Sequence, residues 1–317
     1  MRLTAFFWRA GLCVLIEYNS VEHRGEGMNS VQNSGSGGAP NYKEMVRTEW
    51  TGAAPYWQKW NAKFVVQTRA ATELVVRGAQ AGAGMKVLDL ACGTGEPALS
   101  LAKAVGASGR VVATDLVPEM LEFARQNALA RELHNIEFRV ADAEALPFED
   151  GEFDRVTCRF GIMFFPEFGK AMAEIRRVLK RGGRICFAVF GTLEENPFFQ
   201  VSLAPYLKRV KVQAPPPDAP HIFRFAEESK LAGALSAAGF LEVSASKNRV
   251  IFPWPGSAEE SWEATRELAA PFKKLMEAIP REQADEVFGE VLDGLRRFQV
   301  GDEIQLAATV IIATGAC

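Results

Sequence analysis

Three carboxylates stand near the ends of β-branched runs: Asp89 in VLDLACGTGEPAL (87–99), Asp115 in RVVATD (110–115) and Asp142 in NIEFRVAD (135–142). Asp89 sits inside an apolar run, where an unpaired carboxylate is costly. It must meet a fixed donor, such as backbone N–H groups of its own loop, or a cation, such as a ligand ammonium. Gly93 and Gly95 flank Thr94, and glycine after a first parallel strand lets the backbone approach a ligand at a helix N-terminus whose free N–H groups favour negative charge. Residues 93–98 also satisfy the dinucleotide fingerprint GxGxxA, a pattern that many α/β turns satisfy. Asp115, twenty residues beyond Gly95, stands where an acid can take both ribose hydroxyls of a nucleoside, or can cap the helix starting near Pro118. Asp142 and the N–H of Ala143 can read the edge of an adenine, with Leu116 as an apolar cover, or can serve as a loop cap. Carboxyl ends of successive strands are where open α/β sheets bind ligands, so the three anchors together say more than any one of them.

The elements that must position these residues follow from hydrophobic periodicity. Short β-branched runs alternate with amphipathic stretches from residue 84, as in a parallel sheet wrapped by helices. Strands are expected at 86–91, 110–115, 135–142, 153–160 and in RICFAVF (184–190). Helices are expected after Pro97 up to Gly106, and from Pro118 with Met120, Leu121, Ala124 and Ala128 inward. Another follows Pro166, with Phe168, Ala171, Met172, Ile175, Val178 and Leu179 recurring at helical intervals and Gly182-Gly183 ending it. After residue 190 the rhythm loosens into an inserted helix and a proline-stiffened loop. It resumes with a helix at 226–238 and strands at 240–252 and 303–314. Between those strands lie two helical segments interrupted near Pro271 and Pro280; the second has Ala284, Val287, Phe288, Val291, Leu292, Leu295 and Phe298 on one apolar face.

The organisation reads as a leader (1–40), an N-terminal helical cap (41–83), a ligand-binding core (84–190), an inserted helix and loop (191–225), core continued (226–256), a helical lid insertion (257–301) and a final core strand (302–317). In the leader, MRLTAFFWRAGLCVLIEY makes a poor secretion signal, since Arg9 interrupts the apolar run and Glu17 closes it. Met28 is an alternative start, because Arg24 to Gly27 have purine-rich codons of the kind a translated ribosome-binding site would give. The Gly/Ser-rich residues 29–40 cannot build a core.

Composition narrows the function classes. The chain has 317 residues, 48% hydrophobic and 24% charged, with a formal net charge of -3. Its basic residues are scattered, which gives no general attraction to nucleic acid. No window reaches the roughly 18 uninterrupted apolar residues of a membrane helix. Five cysteines without a CxxC pair fit neither a disulfide framework nor a zinc site, and point to a reducing cytoplasm. No motif indicates a metal.

Together VLDLACGTG (87–95), VVATDLVPEML (111–121), RVADAEALPFEDGEFDRVTCRFGIMFF (139–165) and RVLKRGGRICF (177–187) resemble class I S-adenosylmethionine-dependent methyltransferases. The resemblance extends to the type 11 domain and the group containing the ubiquinone and menaquinone biosynthesis C-methyltransferases. It covers about a third of the chain and implies a Rossmann-like α/β fold. The sheet would be seven-stranded and mainly parallel, its final strand antiparallel, with helices on both faces and helical lid insertions. It further implies that Asp89 and the turn from Ala91 through Gly93, Thr94 and Gly95 bind the methionine part of S-adenosylmethionine. Asp115 would take the ribose, Asp142, Ala143 and Leu116 the adenine, and Arg159 would line the cofactor. Arg159 departs from the small polar residue that often stands there in quinone methyltransferases, which weighs against a quinone-type substrate.

S-adenosylmethionine is already a strong electrophile, so the protein's task is alignment and exclusion of water. The expected partner is a small aromatic or lipophilic methyl acceptor, with S-adenosylhomocysteine as product and a monomer or homodimer as the assembly. No catalytic residue is assigned. His221 is the one histidine placed to act as a base, and a solvated loop histidine is the plainer account of it. Tyr56, Trp57 and Trp60 are candidates to cover the site, Phe164, Phe165, Phe198 and Phe199 to line an acceptor pocket, and Cys92 to serve as a small residue in a tight turn. Two other classes stay open: a non-methylating S-adenosylmethionine-binding protein of the same fold, and an NAD-dependent oxidoreductase.

Overall fold

The computed structural model describes residues 42–212, 216, 218–269 and 272–317. The leader, the alternative start at Met28, Pro271 and two of the three prolines at 215–217 lie outside the described residues. Two helices, α1 (Tyr42–Gln67) and α2 (Arg69–Ala79), precede the sheet. Then come β1 (Lys86–Leu90), α3 (Ala98–Val105), β2 (Arg110–Asp115), α4 (Pro118–Leu129), β3 (Ile136–Val140), β4 (Phe153–Arg159), α5 (Phe168–Val178) and β5 (Leu179–Phe190). The remainder is α6 (Pro197–Leu207), α7 (Glu228–Ala237), β6 (Leu241–Pro255), α8 (Ala258–Leu268), α9 (Lys273–Glu277), α10 (Ala284–Arg296), β7 (Gln299–Val300) and β8 (Glu303–Ala316).

The strands run in the order β3-β2-β1-β4-β5-β8-β6, with the two-residue β7 paired to β8 as an eighth, minor strand. The first five are mutually parallel, and β8 is antiparallel to both β5 and β6. Strand alternation sends Leu88, Ile185, Phe187 and Val189 into one buried cluster, and Val87, Cys186 and Ala188 into another. Both faces are apolar, as a sheet covered on both sides requires. Met172, Ile175 and Val178 of α5 and Leu231 and Leu235 of α7 cover one face; Ala71, Val75 and Ala79 of α2 with Leu101 and Val105 of α3 cover the other. Burying each larger aliphatic side chain contributes about 1.5–3 kcal/mol. At the carboxyl ends of the strands, α10 packs on α6 and α8, while α1 packs on α8 and β6.

Several expected boundaries move for local reasons. β1 stops at Leu90 because Ala91 turns to φ 51°, and β4 stops at Arg159 because Phe160 turns to φ 61°. Gly182-Gly183 does not end a helix: α5 finishes at Val178, and the glycines fall inside β5 where its register with β4 shifts between Phe153 and Arg155. The later helix is shorter, and β6 and β8 are longer, than periodicity indicates. On α10 the apolar face is narrower than expected, since Phe288 and Ala284 are exposed while Val287, Val291, Leu292 and Leu295 are buried.

Candidate active site

A cavity of about 320 Å³ opens at the carboxyl ends of the parallel strands and continues beneath α1, α6 and α8. Its walls include Ala91, Gly93, Thr94, Asp115, Leu116, Asp142, Ala143 and Arg159. Asp89 and Gly95 do not line it. At one end it is polar and at the other aromatic.

The polar end is built on the turn after β1. Gly93 has φ 53°, and a Cβ there would meet nothing within 4 Å, so the backbone presents an open cradle. Gly95 has φ 121°, and a Cβ would come within 2.8 Å of Leu99, so this glycine lets α3 seat closely. Thr94 is spent on structure: its hydroxyl donates to Asn61 Oδ1 (2.7 Å), and its carbonyl accepts from Asn127 Nδ2 (2.9 Å). The Cys92 N–H donates to the Thr114 carbonyl, and its buried thiol is pushed well up by burial.

Asp115 accepts from the Gly93 N–H (2.9 Å) and the Val117 N–H (3.0 Å), so it both fastens the turn and prepares the start of α4. Enclosure raises its pKa, against the pull of those N–H groups. Asp142 accepts from the Glu144 N–H (2.9 Å) and pairs with Lys43 of α1 (2.6 Å), which also pairs with buried Glu144. Asp89 is fully buried. It accepts from Thr157 Oγ1 (2.6 Å), while Oδ2 has no partner, and burial raises its pKa to about 7. Arg159 holds Thr68 Oγ1 (2.6 Å) and Thr72 Oγ1 (2.9 Å) through Nη1, leaving its buried Nε without a partner.

The aromatic end includes Trp50, Trp57, Phe64, Phe164, Phe165, Phe190, Phe198, Phe199 and Trp254. Phe160 and Phe190 stack at 4.0 Å, and Phe199 meets Phe190 edge-on at 5.0 Å. Asn196 is fully buried with its amide satisfied, donating to the Thr192 carbonyl and accepting from the Thr309 N–H. Ser202 and Trp254 differ: both line the cavity, both are almost wholly buried, and the Ser202 hydroxyl and Trp254 indole nitrogen have no partner. Among the described residues, this end carries no histidine or carboxylate: His221 lies outside the cavity wall, its Nδ1 accepts from the Phe223 N–H (3.2 Å), and burial lowers its pKa to about 4.

Not every covering residue expected from the sequence is in place. Trp57 lines the cavity, but Tyr56 faces outward, and Trp60 is turned away to donate to Glu267 (2.6 Å). Trp50 and Phe64 take the covering positions, because residues 50, 57 and 64 recur every two helical turns. Lys43, Ser202, Trp254 and the threonines behind Arg159 escaped the sequence reading. Trp254 carries one signal, a tryptophan between prolines at a strand end; Ser202 carries none.

The donor set suits a cofactor with a cationic amino-acid end and a nucleoside. A buried carboxylate has an open oxygen, an open backbone cradle follows it, and acids close the next two strands. Residues 57–214 match the family model of the ubiE/COQ5 methyltransferase family. Over 171 residues the chain is 36% identical to the demethylmenaquinone methyltransferase of Staphylococcus saprophyticus, a match spanning 50% of this chain and 72% of that one. It is 41% identical over 152 residues to the Thermus thermophilus protein of the same name, spanning 48% of this chain and 62% of the other. In fold it is similar to phosphoethanolamine N-methyltransferase 2 of Haemonchus contortus, solved with S-adenosyl-L-methionine, at a TM-score of 0.53 and 17% identity, covering 88% of this chain and 60% of that one.

Proposed function

We propose, because this chain belongs to the ubiE/COQ5 methyltransferase family and is an S-adenosylmethionine-dependent methyltransferase, that it methylates a lipophilic aromatic acceptor bearing oxygen. Demethylmenaquinone, named in the relatives, is of this class; Arg159, which in the sequence weighs against a quinone-type acceptor, is held by Thr68 and Thr72 at the polar end and so does not oppose one. The observation that carries the reading is the continuity of the cavity, which joins the glycine cradle to the aromatic end without an intervening wall. The family match stops at residue 214 and so omits α8 and Trp254, which help form the acceptor end. The acceptor therefore rests on this chain's own residues.

S-adenosylmethionine supplies, when bound, a methyl group on a positive sulfur and becomes S-adenosylhomocysteine. Ala91, Gly93 and Thr94 would hold its amino-acid end, with Asp89 buried behind the turn and Gly95 seating α3. Asp115 would hold the ribose, and Asp142 with Ala143 and Leu116 the adenine. Trp57, Phe64, Phe160 and Phe190 keep water from the space between the two ends. Ser202 and Trp254 each offer a hydrogen-bond donor that is otherwise unspent, and an unmet buried polar group costs about 1–3 kcal/mol. An acceptor oxygen meets them and orients the ring. Since no basic side chain is available there among the described residues, the acceptor supplies its own nucleophile, as a phenolate or an electron-rich hydroxylated ring does.

The buried cysteines suit a reducing cytoplasm. No helix among the described residues is long and apolar enough to cross a membrane. Calorimetric titration with S-adenosylmethionine, S-adenosylhomocysteine and NAD in parallel tests the cofactor. Incubation with a short-chain naphthoquinol and with a polar catechol, following S-adenosylhomocysteine, tests the acceptor. The expected result is binding of the first two ligands and turnover of the naphthoquinol. NAD binding alone would overturn the assignment, and preference for the catechol would overturn the acceptor class.

A further inference from the structure

Arg159 is held as a guanidinium with one edge deliberately left open. The Thr68 hydroxyl donates to the Phe64 carbonyl (2.8 Å) and the Thr72 hydroxyl to the Thr68 carbonyl (3.3 Å). Each threonine oxygen therefore keeps its lone pairs for Arg159 Nη1, and the two bonds fix the plane of the group. The rings of Phe64 and Phe160 lie 5.9 and 5.8 Å from the guanidinium carbon and restrict it further. Nε has no partner and is sealed from solvent, and no bond reaches Nη2. Among the described residues no carboxylate lies within ion-pair distance; the negative charges that Arg159 feels are the more distant Glu96 and Asp89.

The Nε–Nη2 edge is the one that meets a carboxylate with two parallel N–H donors. A buried guanidinium with no counter-ion is strongly disfavoured unless a ligand supplies one. The threonines make the open edge a fixed receptor, since the side chain has no ordering left to do. Its position is specific as well. Arg159 closes β4, the strand next to β1, and lines the same cavity as Ala91 and Gly93.

We propose that Arg159 receives the α-carboxylate of the cofactor's amino-acid end on its Nε–Nη2 edge, with Thr68 and Thr72 as positioning residues. This rests on the S-adenosylmethionine reading above. The alternative source of the same chemistry is an anionic group on the acceptor, and the measurement separates the two.

The full chain and its variants are titrated with S-adenosylhomocysteine and with its decarboxylated analogue, 5′-deoxy-5′-(3-aminopropylthio)adenosine. Arg159→Met should weaken S-adenosylhomocysteine about 10- to 150-fold and leave the analogue's affinity unchanged, because a charge-assisted pair is lost only where the carboxylate exists. Arg159→Lys should recover part of the loss, since an ammonium keeps the charge without the fork. Thr72→Val, nearly isosteric and so a safeguard against misfolding, should weaken S-adenosylhomocysteine about fivefold, again with no effect on the analogue. Equal losses for both ligands would make Arg159 a structural residue and overturn the proposal. Unchanged affinity for both, with a raised acceptor KM, would assign the edge to the acceptor and overturn it too. Failure of the unaltered protein to bind either ligand would instead remove the cofactor reading itself.

Discussion

The two ends of the cavity are built on opposite plans. At the polar end most donors and acceptors are already used, with Asp89 Oδ2 and the Nε–Nη2 edge of Arg159 the exceptions: Asp115 holds two backbone N–H groups, Thr94 joins α1 to the turn, and Asp142 is tied to Lys43. At the aromatic end the walls are rings, and the few polar groups are either fully satisfied, as in Asn196, or wholly unspent, as in Ser202 and Trp254. The first plan holds a ligand-shaped cradle rigid in advance. The second leaves selection to shape, with three unspent donors, the Ser202 hydroxyl and the indole nitrogens of Trp57 and Trp254. On the proposed function, preorganisation carries affinity at one end and unmet donors carry choice at the other.

The largest expected effect tests the cost of the buried carboxylate. The folded state raises Asp89 from its ordinary 3.8 to about 7, so it holds a proton there more tightly than the unfolded chain does. The stability this provides is fully present below about pH 4 and is lost as pH rises to about 7, amounting to up to about 4 kcal/mol. Asp89→Asn should flatten urea-unfolding stability across that window and weaken cofactor binding. Parallel pH profiles for the variant and the parent would show that Asp89 is not strained by burial.

Asp115→Ala comes next. Losing charge-assisted hydrogen bonds of about 1.5–3 kcal/mol should weaken S-adenosylmethionine about 10- to 150-fold, with acceptor KM little changed. An unaltered Kd in a folded variant would remove Asp115 from the polar end. Ser202→Ala and Trp254→Phe should do the reverse, lowering kcat/KM for the acceptor about fivefold each while the cofactor Kd stays put. If both constants moved together, the division into two ends would fail. The smallest effect on cofactor affinity belongs to Lys43→Ala: Lys43 and Asp142 are both partly exposed, so affinity should change only about twofold, while the loss felt by buried Glu144 should show in urea-unfolding stability instead.

How much of this is legible in the sequence differs between the same two ends. Asp89, Asp115 and Asp142 stand out because a carboxylate in or just after a β-branched run has few explanations, and the parallel core repeats one unit. The aromatic end draws on α1, α6, α8 and β6, where an aromatic residue in a cavity wall has the same spacing as one in a core. Tyr56 illustrates the limit: it lies one position from Trp57, yet a single step turns it about 100° around α1 and into solvent. Phe288 fails in the same way beside Val287. Arg159 is visible as an unusual residue, but the threonines that hold it come from a different part of the chain and have no sequence mark.

The placement of β8 has a consequence for the order of assembly. It lies between β5 and β6 and is antiparallel to both, so the sheet is joined there only when Glu303–Ala316 meets Leu179–Phe190 across a long stretch of intervening chain. Within the five parallel strands paired residues lie at most 68 positions apart, as in Val87 with Arg155, whereas β5 and β8 pair residues 120 or more apart, as in Phe190 with Val310, so this union meets a larger loop-closure entropy. The glycine turn and the carboxylates of the first three strands therefore belong to the early part of the molecule. Phe252, Trp254 and Ala308 reach the cavity only after the late strand is in place. A refolding chain should therefore complete the glycine turn and its carboxylates before the aromatic end of the cavity.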